Sequence, residues 1–296
     1  MAVGITPDTT TENSYLTVQE YKNAPTSMNI SALVVGGNQQ AQDAELANTL
    51  LRASSYMNEY FNQNLVADEY TETKRIRFST SSGYFALHPN NAPVVSLSAF
   101  EYGQNPNELY AISDCSKCWF EGQQIIIPSP LIGFNWTSQG PIAFGGVSPT
   151  GWTFTKYTYI AGYVNTTFAA PALAGDTTIT VADPKGIIAD QRYRITDGHK
   201  NEWVHVDPNY TYGDPVVTLA EPLAFNHDAG ATFFNLPNVI KEACILITNA
   251  FLKMRGDSST TMQYTTQPTG NVPGSIRYGT EIQMALDMVN KYRRIR

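Results

Sequence analysis

Charge is scarce in this chain: Asp, Glu, Lys and Arg make up 15% of 296 residues, against roughly a quarter in an average soluble protein. The shortage is sharper on the positive side, with 19 Lys and Arg against 26 Asp and Glu and a net charge of −7. That balance excludes general binding to phosphate backbones, which needs clustered cations. Cysteine is equally sparse. Three residues, Cys115, Cys118 and Cys244, cannot all pair and make no secreted disulfide framework. No run approaches the ~20 apolar residues of a membrane span, and Met1 to Thr10 has neither a charged start nor an apolar stretch, so the expected product is soluble and made in a cytoplasm. The sequons at Asn29, Asn135, Asn165 and Asn209 then read as a by-product of Asn and Thr richness.

Enzyme signatures are missing too. There is no GxxxxGK[ST] loop, no GxSxG, no HExxH and no dinucleotide fingerprint after a strand. Cys115-Ser-Lys-Cys118 supplies two zinc-type or redox-type sulfurs, but a structural zinc site needs four ligands and no second pair follows. Of His88, His199, His205 and His227, only His199 and His205 fall close together. Glu202 and His205 are three apart in a predicted strand, which sends them to opposite faces. Asp183, Asp190, Asp197 and Asp207 occupy turn-like positions. The sequence therefore nominates no catalytic, cofactor or metal residue, and a non-enzymatic role is expected.

What is present is Tyr, Thr, Asn and Gln in quantity, an uncharged but wettable surface that suits a subunit packed against neighbours, because burying Tyr or Thr costs less than burying Lys or Glu. Length alone is compatible with two domains of ~150 residues. Thr17-Val-Gln-Glu20 is a capping box that opens a helix over 17–24, closed by Pro25. A longer helix over 39–61 follows Gly36-Gly37-Asn38, with Leu46, Leu50, Ala53, Met57 and Phe61 on one face. From 70 to 163 the pattern turns to short aromatic and β-branched runs, most clearly at 75–78, 84–87, 94–102, 124–127 and 154–159. A second β stretch, about 166–235, alternates apolar and polar residues evenly at 177–181, 193–195, 203–206 and 216–219, as a small barrel or sandwich would. Leu236-Pro237 opens a helix over 237–255 with Ile240, Cys244, Ile247, Phe251 and Met254 as its stripe. Asp257 to Asn271 reads as a polar loop, and Thr280-Glu-Ile-Gln283 opens a last helix over 281–294. Neither helical end is long enough to stand alone, so the two should pack on one another. The fold class expected is α+β: N- and C-terminal helical segments packed as a small bundle, a β-rich middle, and an inserted all-β module.

The order of these segments resembles the head-tail connector, or adaptor, proteins of long-tailed bacteriophages. Ser14-Tyr-Leu-Thr-Val-Gln-Glu-Tyr21 is similar to their opening helix, and 45–60, from Glu45 to Tyr60, to their long helix. Pro93-Val-Val-Ser-Leu97 matches their Pro-Val segment. Tyr157-Thr-Tyr-Ile-Ala-Gly-Tyr163 resembles the strand that closes their β part, and Leu236-Pro-Asn-Val-Ile-Lys-Glu-Ala243 the helix after it. Val272-Pro-Gly-Ser-Ile-Arg-Tyr-Gly279 and the final helix match the ending. In the usual adaptor that strand leads almost directly to the Leu-Pro helix. The resemblance therefore implies an adaptor core of 1–165 plus 236–296, interrupted by an inserted β module over 166–235.

It also implies the job: a homo-oligomeric ring of roughly twelve copies closed by heterologous contacts, sitting in the virion neck beneath the portal protein. The ring would leave a channel for the genome and a platform for the stopper or tail-completion protein. No membrane and no cofactor is involved. The basic cluster Lys291, Arg293, Arg294 and Arg296 resembles the end of a C-terminal docking arm for the portal, against the plainer reading of cations at a helix C-terminus. The rival class is a tail or baseplate subunit whose β module binds host carbohydrate through Trp119, Trp136, Trp152 and Trp203.

Overall fold

Thr17 starts the first helix by reciprocal capping: the Glu20 amide donates to Thr17 Oγ1 at 3.1 Å and the Thr17 amide to Glu20 Oε2 at 2.9 Å, so two amides that the helix cannot use are both satisfied. The structure, a computed structural model of the chain, describes residues 14–31, 33–77, 84–112, 114–121, 123–128, 134–137, 140–143, 152–254 and 280–294. The expected loop at 257–271 and the family-like segment 272–279 lie outside these residues. The protein is α+β, with few helices and mostly antiparallel sheets. It divides into two compact units: one formed by the chain up to Gln63, by Arg194–Trp203 and by Asn235 onward, the other by Asn64–Tyr193 and Val204–Phe234.

The first unit holds the helices α1 (Val18–Asn23), α2 (Gln39–Phe61), α3 (Asn238–Met254) and α4 (Thr280–Val289). Asn38 caps α2 by accepting the Ala41 amide at 2.9 Å, and Asn62 ends it in the left-handed conformation, which Asn tolerates better than most residues. Leu46, Leu50, Ala53, Met57 and Phe61 are buried, and each large one contributes about 2 kcal/mol by leaving water. α3 is enclosed well beyond its apolar stripe. Ile240, Cys244 and Ile247 are buried as their spacing requires, but so are Lys241, Thr248 and Asn249. Each of these finds a partner: Lys241 pairs with Glu20, Thr248 donates to the Cys244 carbonyl at 2.7 Å, and the Tyr21 hydroxyl donates to Asn249 Oδ1 at 2.5 Å. Sequence spacing pointed to none of these.

The second unit is built on an antiparallel sheet ordered β1-β9-β3-β4, from β1 (Asp68–Arg77), β9 (Trp152–Ala161), β3 (Val94–Asn105) and β4 (Glu108–Ile112). Its inward face carries Tyr70, Phe100, Tyr102, Tyr157 and Tyr159. A smaller sheet, β2-β6-β5, from β2 (Tyr84–Leu87), β6 (Gln124–Pro128) and β5 (Trp119–Glu121), adds Phe85, Leu87, Ile125 and Ile127 to the same core. β7 (Phe134–Thr137) and β8 (Gly140–Ala143) pair as a hairpin. The stretch after residue 164 contains β10 (Asn165–Thr167), β11 (Thr178–Thr180), β12 (Arg192–Asp197), β13 (Lys200–His205), β14 (Val216–Thr218) and β15 (Thr232–Phe234). These form a four-stranded sheet ordered β10-β15-β12-β13 and a two-stranded ribbon, β11-β14.

Candidate functional site

The α-helix ends before Lys291, Arg293 and Arg294, three of the residues nominated as a docking site. α4 stops at Val289, a single 3-10 turn covers Asn290–Tyr292, and Arg293 is already extended. Asn290 is a poor helix former and is used elsewhere: the Tyr60 hydroxyl donates to its Oδ1 at 2.9 Å. The segment then closes over the end of α2. The Arg294 amide donates to the Phe61 carbonyl at 3.0 Å, Asn62 Nδ2 to the Arg294 carbonyl at 2.9 Å and Gln63 Nε2 to the Tyr292 carbonyl at 3.2 Å. The first of these occupies one of the carbonyls that a helix C-terminus leaves without an internal partner.

Its cations divide accordingly. The Arg293 guanidinium lies 5.2 Å from the centre of the Tyr60 ring, and Lys291 Nζ 4.9 Å from that of Tyr292, both within cation–π range. Lys291 and Arg293 are exposed, Arg294 is half-buried, and Arg296 lies outside the described residues. The structure thus brings Lys291, Arg293 and Arg294 together at one end of the first unit, on a clasp whose other half is Tyr60, Asn62 and Gln63. No sequence signal marked those three.

Cys115 and Cys118 are free, half-buried thiols packed against the aromatic core of the second unit. The Cys118 amide donates to the Cys115 carbonyl at 3.0 Å, as in a tight turn. Burial pushes both thiols up, Cys118 to about 12, with the neighbouring Cys115 adding to the rise. A thiol so placed is a poor nucleophile, because attack belongs to the thiolate. Alkylation at pH 8 should therefore run at about a tenth of the free-cysteine rate or slower, and a Cys115→Ser, Cys118→Ser variant should show unchanged metal content. One equivalent of zinc in the native protein, lost in the variant, would overturn this reading.

The remaining candidates are held in structural networks. His205 Nε2 lies 3.1 Å from Asp190 Oδ1. Glu72 is an enclosed carboxylate of the sheet: Tyr157 and Tyr159 donate their hydroxyls to it, the Asn90 amide donates at 2.8 Å, and Lys74 Nζ lies at 2.7 Å. Both tyrosines are pushed far up, by burial first and by the carboxylate next. The arrangement ties residues 88–91 to the sheet. Among the described residues no three His, Cys, Asp or Glu side chains gather as a metal-ligand set, and no helix is long and apolar enough to cross a membrane. Of the tryptophans, Trp119 and Trp203 are exposed, Trp119 standing edge-on to Tyr84; the side chains of Trp136 and Trp152 lie outside the described residues.

No family model matches the chain, and no curated protein matches it. Among solved structures it is similar to a chain from the neck of an empty GTA particle computed with C6 symmetry, at 10% identity over 96% of this chain and 95% of that one, with a TM-score of 0.37. A likeness at that level assigns no family.

Proposed function

We propose that the chain is a structural head-tail adaptor of a phage virion neck, made in the host bacterial cytoplasm and assembled as a ring beneath the portal. The ring would leave a channel for the genome and a platform for stopper or tail-completion proteins. The observation that carries this reading is the return of the chain to its starting point. Helical segments more than 200 residues apart in sequence meet in one unit, through Glu20 with Lys241, Tyr21 with Asn249 and Phe61 with Arg294. The β segments interrupt them in the order that the adaptor resemblance implies. On this reading the helices form the small bundle of an adaptor core, over 1–165 and 236–296, and 166–235 is an inserted β module. Such a role makes and breaks no bond. A reconstruction of the virion neck should place this chain as a ring below the portal; finding it at the tail tip would overturn the proposal.

Within that role, Lys291 and Arg293 are the cations positioned to meet acidic portal residues, while Arg294 anchors the segment. Charge pairing of this kind mainly sets orientation and association rate, and it weakens with salt. Deleting the segment would confuse docking with folding, because it clasps α2. The cleaner variant is Lys291→Glu with Arg293→Gln. Its thermal stability should change little, by about 1 kcal/mol at most, while infected cells accumulate full heads without tails. Normal tailing would remove the docking role.

A second reading, a tail or baseplate subunit that binds host carbohydrate, draws on the exposed Trp119 beside Tyr84. Quenching of tryptophan fluorescence by host cell-wall oligosaccharide, lost in Trp119→Ala, would favour it.

A further inference from the structure

Two charged side chains stand on the core-facing side of β1. Along the strand Thr71, Thr73 and Arg75 are exposed, while Tyr70 is buried in the aromatic core and Ile76 packs against it. The two-residue period of a strand puts Glu72 and Lys74 on that inward face as well, a face that lysine seldom occupies. Their side chains are 10% and 28% exposed, and Lys74 Nζ lies 2.7 Å from Glu72 Oε2.

An ion pair alone does not account for the rest of the arrangement. Lys74 Nζ also donates to the His88 carbonyl and, at 2.8 Å, to Asn90 Oδ1. The side-chain amide carbon of Asn90, Cγ, is one C=O bond of about 1.2 Å beyond that oxygen, so it lies within about 4 Å of Nζ, close to the separation from which a nucleophile and a carbonyl react. Asn90 is held there on both sides: its own backbone amide donates to Glu72 Oε1 at 2.8 Å, and the Asn91 amide donates to the Tyr159 hydroxyl at 3.2 Å. The carboxylate is fixed in turn by the hydroxyls of Tyr157 and Tyr159, whose side chains are fully buried. Amine, carboxamide and carboxylate thus meet in one place. One oxygen of Glu72 touches the amine, and the other anchors the residue that carries the carboxamide.

We propose that Lys74 and Asn90 are joined by an intramolecular isopeptide bond that the folded chain forms by itself, with Glu72 as the proton carrier. Lys74 starts as an ammonium and gives one proton to Glu72 Oε2. The freed electron pair forms the Nζ–Cγ bond, the Cγ–Nδ2 bond breaks, and the departing nitrogen takes a second proton from Nζ and then the one held on Glu72. Ammonium leaves, Glu72 is a carboxylate again, and the new amide keeps one hydrogen. No oxidant, reductant or cofactor enters. Proximity supplies the rate: a carboxamide is a poor electrophile toward a free amine in water, but well-oriented groups within one molecule act at effective concentrations of about 10⁵–10⁸ M. Asn90 is exposed, which gives the ammonium a way out. The bond is made once per chain and involves no turnover. It pins the segment after β2 to β1 and restricts the unfolded chain as a disulfide does, in a protein whose three cysteines are free.

Intact-mass spectrometry of the purified full chain tests this. The wild type should be lighter than its sequence by the mass of one ammonia, and digestion should give a branched peptide containing both Lys74 and Asn90, with trypsin unable to cut after Lys74. Lys74→Arg and Asn90→Ala should each restore the full mass, and Glu72→Gln should slow formation of the bond after refolding about a hundredfold. Lys74→Arg keeps a cation beside Glu72 and serves as the folded reference; its melting temperature should fall below that of the wild type. A loss of ammonia that persists in Lys74→Arg, as from cyclisation of an asparagine onto its own backbone, overturns the proposal. A folded wild type that keeps its full mass on prolonged incubation does the same, and leaves Lys74 as an ion-pair partner only.

Discussion

Replacing Gly162 with Ala should destabilise the protein by about 4 kcal/mol or more, a large part of the 5–15 kcal/mol that typically holds a domain folded. Gly162 has φ +120°, and a Cβ there would stand 2.5 Å from the carbonyl carbon and oxygen of Val66 and 2.6 Å from the Ala67 nitrogen. These are backbone atoms, so no rotamer change relieves the overlap. Nor can the strand move away cheaply. The Gly162 amide donates to the Pro93 carbonyl at 2.8 Å, the Tyr163 amide to the Leu65 carbonyl at 2.7 Å and the Ala67 amide to the Tyr163 carbonyl at 2.8 Å. Opening the contact would strand buried amides and carbonyls, each at about 1–3 kcal/mol. Gly175→Ala is the matched control: its φ is +97°, but nothing lies within 4 Å of the added carbon, so only the conformational cost of about 1–2 kcal/mol remains. Urea unfolding of the two variants separates the terms. Equal losses in both would show that the close crossing at Val66 contributes nothing.

Gly162 also shows how much was legible in the sequence. Ala161-Gly-Tyr163 stood out as a motif at the close of a strand, but not why: the backbone that forbids a side chain is Val66, nearly a hundred residues earlier in the chain. Local features were readable because their causes are local. The Thr17 and Glu20 cap, the Asn38 cap and the one-sided face of α2 each depend on residues within a few positions. The short strands β4 and β5 were not read, because each has meaning only beside the partner it pairs with. The apolar stripe continues through Tyr292 and predicts a final helix to 294, whereas Asn290 turns toward Tyr60 on another element. The recurring Gly-Asp and Thr-x-Ala-x-Pro at 175–184 and 213–222 mark one unit used twice, which even spacing of strands alone does not reveal. At the candidate site, the cations are legible as charge, and the hold of Tyr60 on Arg293, of Asn62 on Arg294 and of Gln63 on Tyr292 is not.

The other large effect is expected at Lys241, whose removal should cost about 3–5 kcal/mol at neutral pH. Lys241 Nζ lies 2.5 Å from Glu20 Oε1, and the two side chains are only 8% and 10% exposed. Burial pushes the Lys241 ammonium down and the Glu20 carboxylate works against that shift, so the pair holds its charges only by holding each other. Glu20 has a second duty, accepting the Thr17 amide through Oε2, and it therefore cannot turn toward water without uncapping α1. Lys241→Ala leaves a carboxylate fixed in an enclosed site with no counter-charge, which is where breaking a buried pair becomes expensive. Removing both charges in Glu20→Gln with Lys241→Met keeps the cap, since Gln serves at that position as Glu does, and should recover more than half of the loss. Chemical denaturation of the two single variants and the double at pH 7 gives the coupling directly. A loss under about 1 kcal/mol in Lys241→Ala, or a double variant no more stable than the single, would mean that this pair does not hold α1 to α3.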